Sequence, residues 1–168
     1  MVRILSVLVG FILITSTTAK VCGKEHEDSW DGPCKNGKPE GKGTYTHASG
    51  AIYFGELKQG QKQGEGKYTW PNGEVYIGSW VNDRREGRGI HTWPSGATYA
   101  GQFKDDKRHG KGKITWEENH FYDGDWLEDE RSGVGIFQWP DGERYEGEFK
   151  SGGRSGTGVN VWADGERY

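Results

Sequence analysis

The chain has 168 residues, with 29 glycines, aromatic residues at 13% and a net charge of −3 at pH 7. Each glycine costs a helix about 1 kcal/mol against alanine, which excludes a helical bundle, a coiled coil or a doubly wound α/β enzyme as a good fit. The near-neutral charge excludes a bulk electrostatic nucleic-acid binder, so no nucleic-acid partner is expected.

The N-terminus reads Met1-Val2-Arg3, then an apolar run from Ile4 to Ile14, then Thr15-Ser16-Thr17-Thr18-Ala19. A positive start, an apolar middle and small residues at the end make residues 1–19 a signal peptide, cleaved after Ala19. The run is shorter than the roughly 20 residues of a comfortable membrane span. A retained signal anchor is the alternative. Export, whether secreted, periplasmic or lumenal, implies an oxidising compartment. There Cys22 and Cys34, the 2 cysteines of the chain, are expected to form a disulfide. A redox pair is disfavoured because no C-x-x-C spacing depresses a thiol pKa.

Residues 20–40 are expected to form an N-terminal cap containing half a repeat. Trp30-Asp31-Gly32-Pro33-Cys34 stands 23 residues before Tyr53-Phe54-Gly55-Glu56-Leu57. From Gly41 to the end, residues 41–168, one motif recurs every 23 residues without insertion: Gly41, Gly64, Gly87, Gly110, Gly133, Gly156. A second glycine column runs from Gly43 to Gly158, and a third from Gly55 to Gly147. Tyrosine recurs from Tyr53 to Tyr168. A tryptophan column runs Trp70, Trp93, Trp116, Trp139, Trp162, with His47 in the first copy. A large apolar column runs Leu57, Trp80, Phe103, Trp126, Phe149.

Each unit reads as a β-hairpin. Gly66 to Trp70 and Glu74 to Trp80 alternate with period two. Pro71-Asn72-Gly73 between them supplies a fixed φ, a side-chain bond to its own backbone and a positive φ. Asn119 holds the glycine position in the fourth copy, where the turn is expected to survive. Rings must lie over neighbouring backbone where glycine pairs with an aromatic column. The fold class expected is therefore all-β: a single-layer elongated antiparallel sheet of stacked 23-residue hairpins. With roughly 4.8 Å per strand, each unit advances about 10 Å. The chain stops within a strand at Asp164 to Tyr168, and an uncapped edge invites end-to-end pairing with a second copy.

The pattern Tyr-x-Gly-x-Trp, followed by glycines and a closing Trp from Tyr76 to Trp93, resembles the MORN repeat. Tyr53 to Trp70 and Tyr99 to Trp116 resemble it too. The resemblance covers residues 30–168 and implies stacked hairpins in a single layer. It also implies scaffolding, dimerisation, partner binding or phospholipid contact, with no catalysis of its own. His47, Asn119 and the aspartates Asp83, Asp106 and Asp129 depart from the pattern.

Two surfaces stand out as binding candidates. Lys62, Arg85, Arg108, Arg131 and Arg154 form a basic ladder that could hold phosphates, anionic lipid or an acidic partner. The alternative is that neighbouring acids cancel its field and the bases cover aromatic faces. Ile52, Phe54, Val75 and Ile77 form an apolar patch on the opposite face, which suggests docking unless the N-terminal cap folds over it. Glycan stacking on exposed aromatics is a third possibility. The histidines share no metal-ligand spacing, and no nucleophile-elbow or Walker sequence occurs, so no catalytic residue, metal or cofactor is assigned. The function expected is that of an exported, non-catalytic interaction module binding a protein partner or a membrane surface.

Overall fold

The computed structural model describes Cys22 and residues 28–168. The leader expected over residues 1–19, and most of the cap before Asp28, lie outside the described residues. No helix occurs among the described residues. The strands are β1 (Ser29–Asp31), β2 (Cys34–Lys35), β3 (Lys38–Pro39), β4 (Gly41–Thr46), β5 (Ile52–Lys58), β6 (Gln61–Thr69) and β7 (Val75–Val81). They continue as β8 (Arg84–Thr92), β9 (Thr98–Lys104), β10 (Lys107–Glu117), β11 (His120–Leu127), β12 (Glu130–Gln138), β13 (Arg144–Lys150) and β14 (Gly153–Val161). β1 and β4 to β14 form one antiparallel 12-stranded sheet in sequence order, and β2 pairs with β3 beside it. The stacked-hairpin architecture is the one the repeat implies.

Two kinds of turn alternate. One is opened by the tryptophan column. The Gly73 N–H donates to the Trp70 carbonyl at 3.0 Å, and the Glu74 N–H donates to Asn72 Oδ1 at 3.1 Å. In the fourth copy Asn119 takes φ 62°, but the turn differs from the others: Glu117 pairs with His120, and the register shifts between Thr115 and Glu117. The other turn has two central residues, both with positive φ: Gln59-Gly60, Asn82-Asp83, Asp105-Asp106, Glu128-Asp129 and Ser151-Gly152. That geometry matches the right-handed twist of the flanking strands. Asp tolerates it better than most residues, which explains Asp83, Asp106 and Asp129 at a glycine position.

The glycine columns divide into two jobs. On β6 the pairing with β5 jumps from Gly66 to Gln63, leaving Gly64 and Glu65 as a bulge. Gly64 takes φ 61° there, so this column serves backbone conformation. The other two columns interleave into one continuous row across the sheet: Gly43, Gly55, Gly66, Gly78, Gly89, Gly101, Gly112, Gly124, Gly135, Gly147, Gly158. Here the missing Cβ provides space. The Tyr53 ring occupies it over Gly55 and Gly66, the Tyr76 ring over Gly78 and Gly89, and so on along the row.

Each ring is then pinned by its hydroxyl. Tyr53, Tyr76, Tyr99, Tyr122 and Tyr145 all donate to the carbonyl three residues ahead, at 2.8–3.2 Å. The half repeat in the cap copies this with a different residue. Trp30 lies over Gly32 and Gly43 and donates from Nε1 to the Pro33 carbonyl at 2.8 Å. Edge-to-face contacts join successive repeats: Tyr76 meets Trp80 on its own strand and Phe103 of the next repeat, both at 5.1 Å. Such pairs contribute about 0.5–1.5 kcal/mol each beyond the area they bury. Burial pushes the Tyr76 and Tyr99 phenols well up, and Tyr122 to about 12.

Candidate functional site

The sheet has two unlike faces. The inner face carries the rings and also the basic ladder. Lys62, Arg85 and Arg108 each reach the aspartate in the turn of the following repeat. Lys62 Nζ lies 3.0 Å from Asp83, Arg85 Nε 3.2 Å from Asp106 and Arg108 Nε 2.9 Å from Asp129. The same carboxylates accept the backbone N–H of Lys62, Arg85 and Arg108 at 2.9–3.0 Å. In return the turn N–H groups of Asp83, Asp106 and Asp129 donate to the Lys62, Arg85 and Arg108 carbonyls. The ladder is thus a chain of staples between repeats.

The cationic heads also sit over aromatic rings. Arg85 stands 5.1 Å from the Phe103 centroid and Arg108 4.2 Å from that of Trp126. Arg131 meets Gly152 where an aspartate would stand, and donates to its carbonyl. It covers Phe137 at 5.1 Å, and Arg154 covers Tyr145 at 5.4 Å. Aspartates thus oppose Lys62, Arg85 and Arg108, while Arg131 and Arg154 cover aromatic faces beside neutral partners.

The outer face is built differently. Phe54, Ile77 and Ile52 are 50%, 51% and 42% exposed, and Val75 is half-buried. Successive strands place one row of side chains across this face: Phe54, Lys67, Ile77, Ile90, Ala100, Lys113, Asp123, Ile136, Glu146, Val159. Ile90, Val134, Ile136 and Val159 are exposed apolar residues that the sequence reading missed. The signal was present in the column Lys67, Ile90, Lys113, Ile136, Val159, where charge alternates with β-branched residues. The described aromatic residue of the cap, Trp30, lies on the inner face, so it does not cover this patch.

A groove of about 630 Å³ runs along the glycine row on the outer face. Gly78, Gly89, Gly101 and Gly112 line its floor. Ile77, Ile90 and Ala100, followed in the same row by Lys113 and Asp123, form one wall, while Arg88, Gln102 and Lys111 form the other. Ala100 is the small residue of its row, where Phe54 and Ile77 stand in earlier repeats. The Lys111 ammonium lies 2.8 Å from Asp125, and Lys113 stands 3.9 Å from the Phe121 centroid. A wall apolar at Ile77, Ile90 and Ala100, facing a polar, partly cationic wall, suits an extended segment with both kinds of side chain.

One buried polar cluster lies on the inner face. His91 stacks between Trp70 at 5.3 Å and Trp93 at 4.3 Å. Its Nε2 is 3.1 Å from Glu74 and its Nδ1 3.4 Å from Arg85. Burial, and then the Arg85 charge, hold His91 below the ordinary histidine range. At the cap, Cys22 and Cys34 stand at disulfide distance, with Cα atoms 5.8 Å apart. No group of three His, Cys, Asp or Glu side chains is gathered into a metal-binding cluster among the described residues.

The family comparison agrees with this geometry. The MORN-repeat family matches residues 35–52, 53–75, 76–98, 99–120, 122–144 and 145–167. No curated protein matches the chain. Among solved structures, the SAS-4 (dCPAP) TCP domain of Drosophila melanogaster, in complex with a proline-rich motif of Ana2 (dSTIL), is 9% identical. That alignment covers 100% of this chain and 96% of that chain with a TM-score of 0.35, too low to carry an argument.

Proposed function

The chain belongs to the MORN-repeat family, whose repeats are generally protein- or membrane-interaction modules, and we propose that it is an exported, non-catalytic scaffold that docks a protein partner on its outer sheet face. The observation that carries this reading is the outer groove beside Ile77, Ile90 and Ala100, with Ile77 and Ile90 about half exposed. A single-layer sheet has no second layer to bury such residues, and the short apolar run Ile77-Ile90-Ala100, bounded in its row by Lys67 and Lys113, is the surface offered to a partner. The ladder is less suited to anionic lipid, because Asp83, Asp106 and Asp129 already neutralise three of its members. Export is supported by the N-terminal sequence pattern and by the paired cysteines.

The test is site-specific cross-linking in the native secretion. A photoreactive residue at position 100 should capture one defined partner, and the Ile77→Lys, Ile90→Lys background should abolish that capture. A photoreactive residue at position 106, on a turn of the sheet's rim, should capture nothing comparable. Equal capture from position 106, or capture unaffected by the lysines, would overturn the reading.

A further inference from the structure

The first repeat differs from the others at several places that meet in space. His47 stands in the column otherwise occupied by Trp70, Trp93, Trp116, Trp139 and Trp162. Leu57 stands where later copies carry Trp80, Phe103, Trp126 and Phe149. Lys62 stands where they carry arginine. Each replacement removes volume, and all three side chains line one pocket of about 280 Å³ on the inner face. Tyr45, Tyr53 and Tyr68 supply further walls.

The neighbouring repeat shows what fills the equivalent space. There the Trp70 ring packs 4.6 Å from Tyr68 and 5.3 Å from His91, the counterparts of Tyr45 and Tyr68. The His47 ring does not substitute for it. It stands 6.5 Å from Tyr45, tilted by 52°, with its side chain 53% exposed beside Asp28. Among the described residues, the aromatic seam therefore has a gap of ring size at its N-terminal end. Lys62 Nζ is held 5.3–5.9 Å from the Tyr53, Tyr68 and Trp80 centroids, at the border of that gap. Asp83, paired with Lys62 at 3.0 Å, lines the same pocket, so the lysine meets the gap as one half of an ion pair.

We infer that this pocket receives the indole ring of a tryptophan side chain from a protein partner, which completes the seam in the way Trp70 does one repeat later. This rests on the reading of the chain as a protein-interaction module, but it uses the inner face and not the outer groove. The partner's ring is held by stacking against Tyr45 and Tyr68, with Lys62 across it.

The probe is N-acetyl-L-tryptophanamide, titrated into the oxidised, 15N-labelled chain lacking residues 1–19 and followed by NMR. Saturable shifts are expected at Tyr45, Tyr53, Lys62 and Tyr68. His47→Trp fills the gap from within and should weaken binding at least about tenfold. Leu57→Phe narrows it from the other side and should do the same, so the assignment survives the loss of either variant to misfolding. Ile77→Lys on the outer face should leave binding unchanged, which separates this pocket from the outer-face docking reading. Absence of saturable shifts, undiminished binding in both filled variants, or equal binding of methyl glucoside would each overturn the assignment.

Discussion

The Tyr99 ring lies directly against Gly112: a methyl group built on that glycine would stand 2.2 Å from the phenol oxygen. Across the ladder, a methyl on Gly101 would stand 2.5 Å from the Gly112 Cα, where no flexible side chain can give way. Gly101→Ala should therefore destabilise the sheet by about 1–3 kcal/mol through overpacking, or by more. Gly96→Ala, with nothing within 4 Å, meets only the cost of a left-handed backbone. Urea unfolding of both variants checks the order; a larger loss for Gly96→Ala would refute the account of the glycine row.

The hydroxyl of Tyr99 donates to the Gln102 carbonyl at 2.9 Å. Tyr99→Phe keeps the ring over its glycines and removes one hydrogen bond, so about 0.5–1.5 kcal/mol should be lost. Tyr99→Ala empties the seam and should cost about 3–5 kcal/mol. Nearly equal losses would mean that the hydroxyl, and not the ring, holds the repeat.

Arg85 and Asp106 should be energetically coupled. The carboxylate accepts from the Arg85 N–H at 2.9 Å and from Nε at 3.2 Å. A double-mutant cycle of Arg85→Ala with Asp106→Gly, the glycine keeping the positive φ accessible, should give a coupling of at least about 0.5 kcal/mol. Half-exposed Asp106 places the value near the lower end of such couplings. Additive single effects would show that the staple is ornamental.

Much of this was readable from residue order. Period two set Tyr76, Gly78 and Trp80 on one face, and the 23-residue period aligned every copy. The Gly–aromatic columns then implied rings lying over bare backbone. The letter glycine did not reveal that Gly64 serves a bulge while Gly66 makes room for Tyr53, because both needs select the same residue. The 23-residue spacing put Lys62 in a basic ladder but gave it no face. It could not pair Lys62 with Asp83, since that contact depends on the positive φ of the Asn82-Asp83 turn. Ile90 and Ile136 were missed because lysines share their column and dilute its apolar character.

His91 should make stability depend on pH. Burial between Trp70 and Trp93, and then the Arg85 charge, depress its protonation in the folded state, against the pull of Glu74. The unfolded histidine, near its ordinary value of about 6.5, then takes up protons first as pH falls. The stabilisation is complete above about pH 6.5 and is lost as pH drops toward and through the lower folded value. His91→Phe, the residue its column carries at Phe137, should flatten the change in urea stability between about pH 7.5 and pH 5. Parallel pH profiles for the two proteins would contradict the depressed value.

The central claim is that the outer face docks protein and that the ladder, three of whose five members are paired with aspartates, does not hold a membrane. Flotation of the oxidised chain lacking residues 1–19 with neutral and with anionic vesicles, at low and high salt, tests it most directly. The account predicts that the protein stays in solution in every condition. Flotation with anionic vesicles at low salt, reversed by high salt and weakened by Arg131→Ala with Arg154→Ala, would contradict it and give the ladder the binding role instead.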